Sequence, residues 1–244
     1  VYQLTNVTPK TPHPWAFVAF VIAANPVRKW KTWQGAGSLQ ELYVADTRHG
    51  CTRATLFGEA IDLFSAIATP GTTCYFEGGR IKQSFGSKKE IELSFGSGSN
   101  IRPATTLSVA PSLSVVGVKE WASLPVDSVA TAIGVVHRVG ALKRIVTKKG
   151  KSTEKRDLLL VDNSDMSLVC TTWGQLARDD GSIGEGAVVV IKNATLSDYN
   201  NLRTASIGVG SSLLYDPAIA QAEVLRNWYE GLPANHSFTP LNLE

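Results

Sequence analysis

The chain has 244 residues, a net charge of +3 and 43% hydrophobic residues, which suits one or two domains with cores of ordinary size. Its three cysteines, Cys51, Cys74 and Cys170, are too widely spaced for a zinc ribbon and indicate a reducing compartment. The apolar run at residues 15–24 is too short to span a bilayer, so we expect no contact with a membrane.

The first half of the chain predicts short strands and one helix. A long buried strand covers residues 15–24, and a basic, aromatic loop follows it at residues 28–37. The further elements are strands over 39–46 and 52–57, a helix over 59–68, a strand over 72–82 bent at Gly78-Gly79, and a strand over 88–95. Three strands, a helix and two strands is the element order of an OB-fold.

The same strand–turn–strand pattern occurs twice, at residues 41–58 and 157–174. The steps from Asp46 to Asp162 and from Phe57 to Trp173 are both 116 positions. Internal repetition of this kind indicates one domain type used twice. We therefore predict an all-β fold with minor helices: two tandem OB-folds, each a five-stranded Greek-key barrel, plus a C-terminal helix.

Between the modules we expect a connector whose first part, residues 96–100, is flexible and whose proline-containing later part is stiffer. In the second module a long strand covers 129–139 and a basic loop covers 143–156. A helix over 216–230 would have Asp216 as its N-cap. The predicted boundaries are 1–103 for the first OB-fold, 104–112 for the linker, 113–232 for the second OB-fold with its helix, and 233–244 for a loose tail.

Each module has basic residues after its first strand and an aromatic residue at the end of its third strand. Single-stranded nucleic acid needs this combination, because cations meet phosphates and flat rings stack on unpaired bases. Stacking accepts any base, so we expect low sequence specificity. The candidate contacts are Arg28, Trp33, Arg53, Phe57, Lys82, Phe85, Lys143, Arg144, Lys148, Lys151, Lys155, Arg156, Thr171, Trp173, Tyr199 and Arg203.

Structural explanations compete with this interpretation. A ring at the end of a strand is more often part of a core, and a charged loop is more often a solvated hairpin tip. Against the first explanation, Phe57 and Trp173 recur at equivalent positions. Against the second, the segment from Lys143 to Arg156 contains seven cations and a single acidic residue, Glu154. For Trp30 we favour a role in covering the end of the barrel. The four histidines fit neither a metal set nor a catalytic triad, so we predict no enzyme and no cofactor.

Several motifs resemble the large subunit of replication protein A, the eukaryotic single-stranded DNA-binding complex, over its two central tandem OB domains. The resemblance covers nearly the whole chain. The matching segments are residues 27–30 with the following glycine loop, 53–57, 76–82, 171–174, 194–199, and 216–217 through 225–229. The last of these is the most specific.

The resemblance implies stacking by Phe57, Trp173 and Tyr199. It also implies contacts to bases or backbone from the residues Arg28, Arg53, Lys82, Lys155 and Thr171. The family's second ring in the first domain has Phe85 as its nearest counterpart, with Glu90 as the alternative. Two family arginines align with Gln34 and Thr195, and Trp33 is a candidate to replace a lost contact.

The resemblance further implies a nuclear protein that protects single-stranded DNA in replication, repair and recombination. Its partners would be single-stranded DNA and the family's two smaller subunits, which would bind regions outside this sequence. Two alternatives stay open: a specialised telomere- or meiosis-associated relative, and an OB-fold module that binds proteins. A nuclease is a further rival, but the sequence shows no clustered carboxylates for it.

Overall fold

In this computed structural model the described residues are 1–33, 35–46, 51–84, 90–105, 112–147, 150–178, 183–199 and 201–241. The chain divides into two compact units. The first comprises Val1–Leu113 with Pro217–Ile219, and the second comprises Ser114–Asp216 with Ala220–Glu244. Each unit has a hydrophobic core of its own.

The first unit is a five-stranded ring with additional edge strands. Its elements are β1 (Ala16–Ala24), β2 (Arg28–Thr32), β3 (Gly35–Ala45), β4 (Cys51–Phe57), α1 (Glu59–Phe64), β5 (Thr73–Glu77), β6 (Arg80–Gln83), β7 (Ile91–Phe95) and β8 (Asn100–Pro103). The strand order is β6-β7-β4-β3-β1-β5-β8, with β2 paired to β3. Because β5 and β6 are two halves of one bent strand, the ring consists of β1, β3, β4, β7 and β5/β6. Strands β4 and β7 run parallel.

The bend between β5 and β6 depends on the two glycines that the sequence indicates. Gly78 has φ +74°, a conformation that residues with a side chain rarely adopt. A Cβ atom on Gly79 would lie 2.6 Å from the Phe95 ring, so this position has no room for a side chain. The absence of side chains therefore lets the strand turn closely over the aromatic core.

The second unit repeats this architecture. Its elements are α2 (Val118–Trp121), β9 (Val129–Val139), β10 (Lys143–Val146), β11 (Ser152–Val161), β12 (Met166–Trp173), α3 (Gln175–Arg178), β13 (Val188–Tyr199), β14 (Leu202–Ile207), β15 (Ser212–Tyr215), α4 (Ala220–Glu230) and β16 (Thr239–Pro240). Strands β9, β11, β12, β14 and β13 pair in a closed ring, with β12 and β14 parallel. None of the helices in the described part of the chain is both long and apolar enough to cross a membrane.

The sequence repeat is also a repeat of strand register. Leu39 pairs with Phe57 in the hairpin of β3 and β4, and Lys155 pairs with Trp173 in the hairpin of β11 and β12. Both members of the pair are therefore shifted by the same 116 positions. Together with the five-stranded rings, this register confirms the predicted class of two tandem OB-folds with few helices.

Two buried aspartates hold equivalent positions at the ends of β3 and β11. The Leu4 N–H donates to Asp46 Oδ2 at 3.0 Å, and the Val118 N–H donates to Asp162 Oδ2 at 2.6 Å. Each carboxylate therefore fixes the segment that leads into its own barrel.

Both predicted basic loops form hairpins instead. Arg28 to Thr32 pair with Leu39 to Gly35, and Lys143 to Val146 pair with Lys155 to Ser152. Most side chains of β2 and β10 are exposed. Neither segment alternates apolar and polar residues in the way that predicts a half-buried strand. The strands form because backbone pairing does not require apolar side chains.

The predicted flexible connector at residues 96–100 is wrong. The Ser99 N–H donates to the Gly96 carbonyl at 3.0 Å, and the Gly96 N–H donates to Ser99 Oγ at 3.2 Å. Asn100 then begins β8, which pairs with β5 and buries Ile101. A glycine- and serine-rich segment is therefore an ordered turn in the first barrel.

Two predictions near the C-terminus also need correction. Asp216 does not cap the helix, because its Oδ1 accepts the Val188 N–H at 3.1 Å and α4 begins only at Ala220. The predicted loose tail is packed through Leu241, which is buried and accepts a hydrogen bond from the Arg203 N–H at 3.0 Å. The expected packing of the helix on the second barrel is present, with Tyr229 Oη 2.9 Å from His137 Nδ1.

Removing the Asp162 carboxylate should destabilise the second unit. In Asp162→Ala the buried Val118 N–H loses its acceptor, which costs about 1–3 kcal/mol. Denaturation in urea measures the loss, with the exposed α4 variant Glu223→Ala as control. A stability equal to that of the control would show that this hydrogen bond does not anchor the barrel.

Candidate nucleic-acid interface

The predicted contacts lie mainly on two surfaces, one in each unit. The first face is the outer surface of β2, β3, β4, β7 and β6. The second face is the outer surface of β10, β11, β12, β14 and the last part of β13. Because side chains alternate along a strand, Leu56 is buried while Phe57 is 42% exposed. Likewise Thr172 is buried, whereas Trp173 is partly exposed. Neither ring is sealed in a core.

Trp173 lies in a row of side chains that includes two lysines. Lys143 on β10 pairs with Lys155 on β11, and Lys155 pairs with Trp173 on β12. Opposite residues in antiparallel strands have Cβ atoms about 5 Å apart, so these side chains are neighbours. The indole Nε1–H donates to Ser206 Oγ at 3.0 Å, which fixes the ring against β14. The result is an immobilised ring with cations beside it.

Hydrogen bonds and ion pairs also order the rest of the second face. Thr171 Oγ1 donates to Asp157 Oδ1 at 2.7 Å, and Lys155 Nζ lies 3.2 Å from Asp157 Oδ2. Tyr199, at the end of β13, is 69% exposed. It follows Ser197 at the two-residue spacing that keeps side chains on one side of a strand. The predicted residues Thr171, Trp173 and Tyr199 therefore share one face.

In the first face the predicted cations are joined to two carboxylates. Arg28 Nη2 lies 3.0 Å from Glu41 Oε1, and Arg53 Nη1 lies 3.2 Å from the same oxygen. Arg53 Nη2 also pairs with Glu92 Oε1. Lys82 Nζ lies 3.1 Å from Glu92 Oε2. The structure brings the three cations together, each in an ion pair within the face.

The ion pairs shift the pKa of both central groups toward the charged form. Burial by itself would raise the pKa of Glu92, but Arg53, Lys82 and Ser84 together hold it below its ordinary value. Burial would lower the pKa of Arg53, but Glu41, Tyr43 and Glu92 raise it. Glu92 and Arg53 are therefore both ionised at neutral pH.

The basic hairpin of β10 and β11 divides its cations between two sides. Lys143 and Lys151 are exposed, and Arg144 Nη2 lies 3.4 Å from Glu154 Oε1. Arg156 follows Lys155 and alternates to the other side of β11, where its Nε is buried. These four residues therefore do not form one surface.

The remaining predicted contacts fall in different places. Arg203 Nη1 pairs with Asp198 Oδ1 at 2.9 Å, on the side of the β13–β14 hairpin opposite Tyr199. Trp33 is 91% exposed next to β2. Phe85 and Lys148 lie outside the described residues.

The Trp30 side chain packs on the hairpin that β2 forms with β3. A Cβ atom on Gly37 would lie 2.6 Å from the Trp30 ring, so the ring rests directly on the glycine backbone opposite. This contact explains why a glycine stands at position 37.

Arg80 belongs to the first face and was not among the predicted contacts. It pairs with Ser94 on β7 and lines a cleft of about 360 Å³ together with Phe57, Gly96 and Ser99. The signal was its two-residue spacing from Lys82, which places both cations on one side of β6. In the described part of the chain no group of three or more His, Cys, Asp or Glu residues is arranged to hold a metal ion.

Comparison with known proteins supports the resemblance that the motifs indicate. Residues 118–216 match the family model of the replication protein A OB domain. The chain is 27% identical over 245 residues to replication factor A protein 1 of Schizosaccharomyces pombe, covering 98% of this chain and 40% of that protein. It is 30% identical over 224 residues to the replication protein A 70 kDa DNA-binding subunit of Xenopus laevis, covering 88% of this chain and 36% of that protein. The chain thus spans less than half the length of these relatives.

A solved structure agrees with these sequence matches. A chain from a replication protein A heterotrimer bound to single-stranded DNA superimposes with a TM-score of 0.64 at 25% identity. The match covers 99% of this chain and 57% of that one. The similarity to the replication protein A large subunit is therefore confirmed along both units.

Because folding lowers the pKa of Glu92, the free energy of unfolding of the first unit varies with pH in the acid range. The folded state holds the carboxylate charged below its ordinary pKa of 4.5, so this stabilisation is present above about pH 4.5 and is lost as pH falls through the folded value. We expect Glu92→Gln to be less stable than the wild type at neutral pH, with the difference shrinking below pH 4.5. Thermal melting of both proteins across this range measures the effect. A difference that is independent of pH would contradict it.

Proposed function

We propose that this chain, as a relative of the replication protein A large subunit, binds single-stranded DNA with low sequence specificity through its two faces. The carrying observation is the partly exposed Trp173 ring in one row with Lys143 and Lys155. The exposed rings of Phe57 and Tyr199 support the same interpretation.

Stacking on these rings explains a preference for unpaired bases. Each base stacked on an aromatic side chain contributes roughly 1–3 kcal/mol, and every base has a flat surface to offer. Bases in a duplex are already stacked on their neighbours, so they are not available to Phe57, Trp173 or Tyr199. We therefore expect weak binding to double-stranded DNA.

Two binding faces on one chain strengthen each other. Once one unit holds a strand, the other meets the same strand at an effective concentration on the order of millimolar. Affinity can then exceed that of either unit by a factor on the order of 10²–10⁴ without any new contact.

We propose the wider biological role on the basis of the family relationship. The protein would protect single-stranded DNA in replication, repair and recombination, act in the nucleus, and assemble with two smaller subunits through regions outside this sequence. A fluorescence anisotropy titration with a labelled mixed-sequence oligonucleotide tests the central claim. Tight binding to the single strand and weak binding to its duplex is the expected result. No binding to either would favour a module that binds proteins.

Substitutions of Trp173 separate stacking from folding. We expect Trp173→Ala to weaken binding by roughly 1–3 kcal/mol. Trp173→Phe loses the hydrogen bond to Ser206 but keeps an aromatic ring. Because that ring can still stack on a base, this variant should retain most of the affinity. Anisotropy measures binding, and thermal melting checks the fold. If Trp173→Ala melts at a much lower temperature than Trp173→Phe, the ring is structural and the assignment is wrong.

The lysines of the second face should determine part of the salt dependence. For single strands, the slope of log affinity against log salt is about −0.7 per phosphate neutralised. Lys143→Gln should make the slope less steep by about 0.7, because an exposed lysine beside the stacking row is lost. Lys119→Gln on α2 changes charge equally outside both faces and serves as the control. Equal slopes for the two variants would remove Lys143 from the interface.

A further inference from the structure

A line of charges with alternating sign crosses the whole first face. It has one member on each of the five strands β2, β3, β4, β7 and β6. In that order the members are Arg28, Glu41, Arg53, Glu92 and Lys82. Each carboxylate lies between two cations, so every cation of the line has a carboxylate partner.

The two carboxylates are the least accessible members of this line. The Glu41 side chain is 12% exposed and the Glu92 side chain is 7% exposed, whereas Lys82 is 65% exposed. Ser84 Oγ also donates to Glu92 Oε1 at 2.9 Å. Both carboxylates are thus held in place against the sheet, and the five residues together carry one net positive charge.

The second face has neutral residues at the positions of Arg53, Glu92 and Lys82, whereas the position of Glu41 holds Asp157, which lies 3.2 Å from Lys155. Arg53 pairs with Glu92 across parallel strands in the first unit, and Val169 pairs with Thr204 in the second. Where Lys82 faces Glu92, the second unit has Ser197 facing Thr204. Ser197 Oγ and Thr204 Oγ1 are hydrogen-bonded at 2.8 Å. A hydroxyl pair therefore replaces an ion pair on the same backbone framework.

We propose that Glu41 and Glu92 are internal competitors for DNA phosphates and thereby lower the affinity of the first face. The inference rests on the proposed function. A carboxylate and a phosphate both offer paired oxygens to a guanidinium group, so they compete for the same donors. A phosphate reaches Arg53 only when it displaces Glu41 or Glu92. The free energy of binding a phosphate at Arg53 is therefore the difference between the phosphate contact that forms and the carboxylate contact that is lost.

The low pKa of Glu92 keeps this competitor charged at neutral pH. Competition is therefore a constant property of the first face under ordinary conditions.

Substitution of each carboxylate by its amide tests the inference in the full chain. Glu41→Gln and Glu92→Gln keep side-chain size but remove the charge. We expect each to tighten binding about two- to fivefold, the range that a partly exposed ion pair supports. The probes are oligo(dT) and oligo(dC) of equal length, measured by anisotropy. Glu77→Gln on β5 adds the same charge outside the first face and should change affinity much less.

Two probes are needed because a carboxylate has a second way to act on DNA. It accepts a hydrogen bond from the amino group of cytosine, and thymine has no such group. If Glu92→Gln weakens binding to oligo(dC) alone, Glu92 recognises a base and the proposal is wrong. Tightening on both probes supports competition.

The remaining outcomes are equally distinct. If Glu92→Gln unfolds at the assay temperature, Glu41→Gln decides the test, because Arg53 keeps its pair with Glu92 in that variant. If the wild type binds but a folded variant binds no more tightly than Glu77→Gln, the inference is wrong and the proposed function is unaffected. Wild type that binds neither probe overturns the proposed function itself.

Discussion

The alternation of side chains along the hairpins β3–β4 and β11–β12 is the constraint on which the structure depends. A small closed barrel has room inside only for core side chains, so every second residue must point outward. Because Leu56 and Thr172 are buried, the neighbouring Phe57 and Trp173 have to face solvent. A register slip of one residue would exchange core and surface along the strand. The stacking rings are thus positioned by the packing of the core.

The same framework supports two different kinds of face. The first face consists of ion pairs across five strands, centred on Arg53 and Glu92. The second face has hydroxyl groups at its centre and lysines beside Trp173. Register conserves the positions of the side chains, while the residue types decide which cations are paired: Arg28, Arg53 and Lys82 with two glutamates in the first face, and Lys155 with Asp157 in the second. Two units of one fold therefore offer a DNA strand unequal electrostatic environments.

Polar segments of the chain contribute more structure than their composition indicates. The strand β2 is polar apart from Trp30, β10 begins with two cations before Ile145 and Val146, and the turn before β8 is rich in glycine and serine. The strands β2 and β10 gain order from backbone hydrogen bonds to β3 and β11, and the turn is closed by the hydrogen bonds between Gly96 and Ser99 before β8 pairs with β5. Patterns of hydrophobicity identify strands that bury a face, and they miss strands that only complete an edge.

Sequence by itself determined the repeat, the two five-stranded barrels, and the rings Phe57 and Trp173. Apolar periodicity and the shift of 116 residues can both be read along the chain without knowing which strands pair. Only the tertiary structure decided which cations share a face, that Glu41 and Glu92 join Arg28, Arg53 and Lys82, and that Arg80 lines the cleft beside Phe57. Asp216 and the C-terminal segment likewise depend on distant strands. The physical reason is that an ion pair or edge pairing joins residues far apart in sequence, and a pattern along one strand contains no information about its neighbour.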